Sequence, residues 1–154
     1  MKHVLSIATI LTLSFLLLQA PADAADQSIG FVRNVTGEAF IHRSDTAIPA
    51  VVGAKLQAGD TLSTGPNGSL GVEFQDESSA SIGPNSSFVV SNFEFSPSTG
   101  KAGFLIRITK GSFVYLSGLI AKMSPESAKF ETPTATIGIR GTQFAVNIEQ
   151  LPSQ

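Results

Sequence analysis

The sequence predicts an all-β protein of about ten short strands, built as a sandwich, a barrel or a solenoid-like stack. Three observations predict it. From Ile29 onward, apolar residues recur at alternate positions in short runs, which is the period of a half-buried strand. Those runs are cut every few residues by Gly, Pro, Asn and Asp, the residues that supply the special backbone angles of turns. Beyond the first two dozen residues, no segment carries a convincing apolar stripe at helical spacing.

The chain opens with a leader. Met1-Lys2-His3 is a short positive segment, Val4 to Leu18 is apolar, and Gln19 to Ala24 is rich in small residues. Ala22-Asp23-Ala24 fits the small-x-small rule and places cleavage before Ala25, with Ala20-Pro21-Ala22 as the competing site. The division is therefore a signal-peptide helix over 1–24 and a β domain over 25–154. The apolar run falls short of the ~20 residues that a bilayer-spanning helix needs, so cleavage is expected, with an uncleaved N-terminal anchor as the alternative, and no membrane insertion is expected after cleavage. The expected destination is the periplasm or the outside of the cell. The chain has no cysteine, so neither a lipid anchor at the cleavage site nor a disulfide is available.

Taken in order, Phe31 to Val35 and Ala39 to Arg43 read as two strands joined by Thr36-Gly37-Glu38. Residues 44–50 read as a polar loop. Lys55 to Thr64 contains the Gly59-Asp60 turn and a short strand at Thr61-Leu62-Ser63, and Thr64 to Gly68 is a dense turn cluster. Leu70, Val72 and Phe74 form a buried face, with Gly71 and Glu73 opposite. Gln75 to Ser78 turns the chain towards a short strand at Ser79 to Ile82. Phe88 to Phe95 is strand-like but irregular, because Phe88, Val89, Val90, Phe93 and Phe95 do not sort onto one face. Phe104, Ile106 and Ile108 against Leu105, Arg107 and Thr109 give the clearest long strand. Lys110-Gly111-Ser112 reads as a turn into Phe113 to Leu116. Leu119 to Met123 reads as a helical turn limited by Pro125. Pro133 bounds the strand that ends near Thr132, and Gly141 separates Ile137 and Ile139 from Phe144, Val146 and Ile148.

Two stretches resemble a known family. Gly53-Ala54-Lys55-Leu56-Gln57-Ala58-Gly59-Asp60-Thr61-Leu62-Ser63-Thr64-Gly65 is similar to the pattern G-x-x-L-x-x-G-D-x-L-x-T-G. Thr132 to Val146 is similar to T-P-x-A-x-I-x-I-R-G-T-x-F-x-V, with Thr132, Pro133, Arg140, Gly141, Thr142 and Phe144 in the marked places. Both resemble the FecR-like domain, named after the periplasmic part of the iron-citrate sensor that regulates a sigma factor. The resemblance runs from about Gly30 to Ile148. It implies a twisted, solenoid-like β fold and an exported module that relays or scaffolds by contact with an envelope protein. The cytoplasmic anti-sigma segment, the internal membrane span and the receptor-contacting region of the best-known members have no counterpart here. Sigma-factor regulation is therefore not carried over.

The chemistry-bearing residues point the same way. The formal net charge is −2, so no basic patch recruits nucleic acid. His42 is the one histidine outside the leader and is placed on the outward face of a strand. A cysteine or multi-histidine metal site is excluded, and no cofactor is expected. A Ser-His-Asp triad would have to be built on His42, and no serine sits in a Gly-x-Ser-x-Gly elbow. Asp76 and Glu77 adjoin in a turn and read as solvent-facing. There is no Trp and one Tyr, and the Phe residues fall mostly at core positions, which does not suit an aromatic sugar platform. Three Asn-x-Ser/Thr matches, at Asn34, Asn67 and Asn85, are expected by chance in a turn-rich chain.

Four expectations follow. The protein is a non-enzymatic module, with a small-molecule or glycan-binding protein and an envelope hydrolase as the alternatives. Arg140 is structural, paired with Asp60 or else solvated at a turn. Gly141 needs its lack of a side chain. The Phe88–Phe95 stretch offers exposed apolar surface to a partner.

Overall fold

A computed structural model describes residues 28–141 and 143–148. The leader, with Ala22, Ala24 and Ala25, lies outside the described residues, as does Thr142. The all-β expectation holds: among the described residues twelve strands form one curled, open and mostly antiparallel sheet, with one five-residue helix.

The strands are β1 (Gly30–Thr36), β2 (Ala39–Arg43), β3 (Thr46–Pro49), β4 (Lys55–Leu56), β5 (Thr61–Thr64), β6 (Ser69–Phe74), β7 (Ser79–Ile82), β8 (Ser87–Ser96), β9 (Lys101–Leu116), β10 (Ala128–Glu131), β11 (Thr136–Gly138) and β12 (Gln143–Ile148). Helix α1 spans Leu119–Met123 and a 3-10 turn at Pro125–Ser127 follows it, as the helical turn ended by Pro125 suggested. The order across the sheet is β3-β2-β5-β8-β9-β7-β6-β1-β4, with β10, β11 and β12 branching from β9.

β9 is the element that both halves share. Its first part, from Lys101 to Lys110, pairs with β8, and Phe104 to Arg107 pair in parallel with β10. Its last part, from Phe113 to Leu116, pairs with β7 on one side and with β12 on the other. The residues read as a turn, Lys110-Gly111-Ser112, are instead a bend within this one strand. Gly111 takes φ +83°, and a β-carbon there would come within 2.6 Å of the Ser86 backbone. Only glycine allows the strand to turn this corner against Ser86.

The bend folds the sheet over an aromatic core. Phe104 on one half meets Tyr115 at 5.5 Å and Phe74 at 5.1 Å on the other, and also stacks edge-on to Phe130 at 5.8 Å. Phe88 meets Phe113 across the same interior. These rings, with Ile106, Ile108, Leu70 and Val72, are fully buried or nearly so. Area of this kind is the main source of folding free energy, at about 25 cal/mol per Å² of apolar surface.

Three local expectations are corrected. Residues 44–50 are not a loop throughout, because Thr46–Pro49 pairs with β2 as an edge strand. The Phe88–Phe95 stretch is not an exposed surface. Phe88 and Val90 are core, the register slips between Val90 and Asn92, and Phe93 and Phe95 then pack partly buried against the core. The bulge moves the apolar residues from even to odd positions, which is why they did not sort onto one face. Asp76 is not solvent-facing but fully buried.

Candidate functional site

The first signature builds a corner. Leu56 is core, and Gly53 and Gly59 hold φ +85° and +91°, angles that favour glycine. The Gly59 N–H donates to Val90 O at 2.7 Å, which docks the turn on β8. Asp60 is 1 % exposed. Its carboxylate accepts from Arg43 Nε at 2.9 Å, Arg43 Nη2 at 2.8 Å and the Gln57 N–H at 2.8 Å. Arg43 Nη2 also donates to Lys55 O at 3.0 Å. The hydrogen bond to Asp60 raises the pKa of Arg43 further. Thr64 Oγ1 donates to Gly83 O at 2.7 Å and accepts from the Ser86 N–H at 3.0 Å. Gly65 N–H donates to Glu38 O and its own carbonyl accepts from Asn85 N–H. Thr64 and Gly65 thereby set the loop on which Gly111 turns.

The second signature builds the open side of the sheet. Thr132 closes a tight turn around Pro133: its N–H donates to Ala135 O at 2.8 Å and its Oγ1 accepts from Ala135 N–H at 3.0 Å. Phe144 packs on Phe130 at 4.9 Å and on Phe113 at 6.2 Å. The expected Arg140–Asp60 pair does not form. Arg140 is exposed, no ion pair reaches it among the described residues, and Arg43 holds Asp60 instead. Gly141 does take a positive φ, +155°, but with no atom near its missing β-carbon.

A second buried acid was missed. Asp76, in the turn between β6 and β7, reaches the start of α1: its carbonyl accepts from Leu119 N–H at 2.7 Å and its Oδ2 from Ile120 N–H at 3.2 Å. Ser78 donates to Oδ1 through its hydroxyl at 2.5 Å and its N–H at 3.2 Å. Tyr115 lies beside this cluster, with its hydroxyl buried and no aligned hydrogen-bond partner among the described residues. Burial pushes its pKa well above the usual value, the more so beside Asp76, against the partial relief of Ser78 and the Gly118 backbone. A turn residue gives no sequence sign of burial when its cover arrives some forty residues later.

His42 Nε2 lies 2.8 Å from Ser63 Oγ on the outward face of β2 and β5. The acid a triad would need nearby, Asp60, is already held by Arg43. A shallow polar groove of about 530 Å³ runs over the outer face of β9, lined by Asn92, Gly103, Leu105, Ser127, Lys129 and Glu131. Among the described residues no group of three or more His, Asp or Glu is placed to hold a metal ion. No helix among them is long and apolar enough to cross a membrane.

Leu116 and Met123 are exposed apolar residues of β9 and α1, and the others come from the first strands and the loop after them. Phe31, Phe40, Ile48, Val51 and Val52 stand out of the surface, Val51 and Val52 by 60 % and 68 %. Pairing puts them on adjoining segments but not on one face: Phe40 stands opposite Pro49 on the outer side of the ribbon, Ile48 stands opposite buried Ile41 on the other, and Gly53 N–H donates to Val32 O beside Phe31.

The marked residues of this curled β scaffold make corners, turns and core contacts. The chain matches the FecR protein family over residues 60–154, and it belongs to that family. This is a non-enzymatic regulatory family, which makes the protein, at the coarse level, a regulator-associated signalling or interaction module. No curated protein and no solved structure matches the chain.

Proposed function

We propose that the protein is a non-catalytic module of the cell envelope, exported by its leader and acting by contact with another envelope protein. The observation that carries this reading is the exposed apolar pair Val51 and Val52, in the segment that the Gly53 N–H ties to β1 beside exposed Phe31. Neighbouring large apolar side chains left in water at a sheet margin are the mark of a contact surface. The signature residues support the same reading, since Asp60, Thr64 and Thr132 have their polar atoms engaged in turns. Val51 and Val52 can be changed without touching the core. The test is Val51→Ser with Val52→Ser, followed by crosslinking in the producing cell and a melting curve. Loss of the crosslinked partner at an unchanged melting temperature is the expected result. An unchanged partner set, or turnover of an envelope substrate by the purified protein, would overturn the proposal.

A further inference from the structure

We propose that β12 is a pairing edge, taken by β12 of a second copy of this chain in antiparallel register about a two-fold axis. A sheet edge presents unpaired N–H and C=O groups, and proteins that must stay single blunt it with charge, proline, bulges or shortness. The other open strands here are guarded in those ways. β3 has four residues and ends in Pro49, β4 has two, and β11 has three. β12 has six residues, Gln-Phe-Ala-Val-Asn-Ile, with no charge, no proline and no glycine. It pairs with β9 residue for residue, without a bulge, from Gln143 against Leu116 to Ile148 against Gly111. Among the described residues no other strand pairs with it.

Its inward side chains are unfinished. Phe144, Val146 and Ile148 pack on the core yet remain only partly buried, while Gln143, Ala145 and Asn147 face solvent. One more strand on the free side would cover the three apolar residues. A second β12 fits that place. With Val146 opposite Val146 of the other copy and Phe144 opposite Ile148, both apolar rows lie on one face. The same register sets Ala145 opposite Asn147, and it makes paired residues agree in the direction of their N–H and C=O groups. No like charges meet, because the strand carries none. One strand pair makes a small interface, in the size range of weak and transient contacts, so the dimer is concentration-dependent.

The test is sedimentation equilibrium on the full gene product, from micromolar concentrations to about 1 mM, where weak contacts become populated. The wild type should approach twice its monomer mass. Ala145→Lys with Asn147→Lys sets lysine against lysine across the axis and should weaken the dimer about tenfold, as should the double Glu variant. An equal mixture of the Lys and Glu variants should restore pairing as a heterodimer. Both positions are exposed, so melting temperatures should not move. A wild type that stays monomeric, a dimer that persists in both variants, or a mixture no tighter than its components would each overturn the proposal. None of these outcomes bears on the Val51–Val52 pair, which lies on a different part of the sheet.

Discussion

Arg43 and Asp60 form a two-pronged ion pair, Nε to Oδ1 at 2.9 Å and Nη2 to Oδ2 at 2.8 Å, that ties the end of β2 to the turn before β5. The acid is buried and the guanidinium is one-third exposed, so removing either partner has unequal consequences. Arg43→Ala leaves the carboxylate inside with only the Gln57 N–H and should cost about 3 kcal/mol. Arg140→Ala, at an exposed position, should lie within about 0.5 kcal/mol of wild type. Urea melts of the two variants side by side decide which arginine the corner needs.

Asp76 should matter as much as Asp60, though nothing in its sequence context says so. Asp76→Ala strips the Ile120 and Ser78 N–H groups of their acceptor in the interior and should destabilise by about 2–3 kcal/mol. Gly118→Ala should also fail to pack, since a β-carbon there would sit 2.2 Å from Asp76 O and 2.4 Å from Ser78 N. Amide exchange at Leu119 and Ile120 in the Asp76 variant gives the local readout.

How far the sequence reaches is clear from these acids and from the strands around them. Leu70, Val72 and Phe74, and Phe104, Ile106 and Ile108, were legible because period-2 alternation is a local signal. The irregularity of Phe88 to Phe95 was legible too. Its cause was not, because a phase slip from Val90 to Phe93 looks the same whether a bulge restores burial or leaves rings in water. The partner of Asp60 depends on how β2 and β5 register, with His42 opposite Thr61. A motif that marks Asp60 and Arg140 as important does not say that they meet. Thr46–Pro49 was missed because all four residues of an edge strand are exposed and carry no alternation of burial. The exposed apolar pair was hidden for a related reason: exposure of Val51 and Val52 is a property of the fold.

Tyr115 is the chain's one tyrosine, so its ionisation can be followed alone. Burial holds its folded pKa above the unfolded value of about 10. The folded state therefore keeps the phenol proton more tightly than the unfolded state does. The linked stability is complete below pH ~10 and is lost progressively as pH rises above it towards the raised folded value. Ultraviolet titration should show no tyrosinate in the native protein at pH ~10.5 and ordinary titration in denaturant. A native midpoint near 10 would contradict the buried hydroxyl.

Gly141 and Gly138 make a controlled pair. Neither has an atom near its missing β-carbon, but only Gly141 holds a positive φ. Gly141→Val should cost about 1–3 kcal/mol through the backbone alone, and Gly138→Val little. Equal melting temperatures for the two variants would show that the Gly141 conformation gives way.

The proposed contact with another envelope protein runs through the exposed surface around Val52. The most direct measurement places a photo-activated crosslinking residue at Val52 in the producing cell, with a second version at exposed Glu77 as the control. The Val52 version should give a discrete adduct with a different envelope protein, absent from the Glu77 version and abolished by Phe31→Ser in the same chain. No adduct at Val52, or the same adducts from both positions, would contradict it.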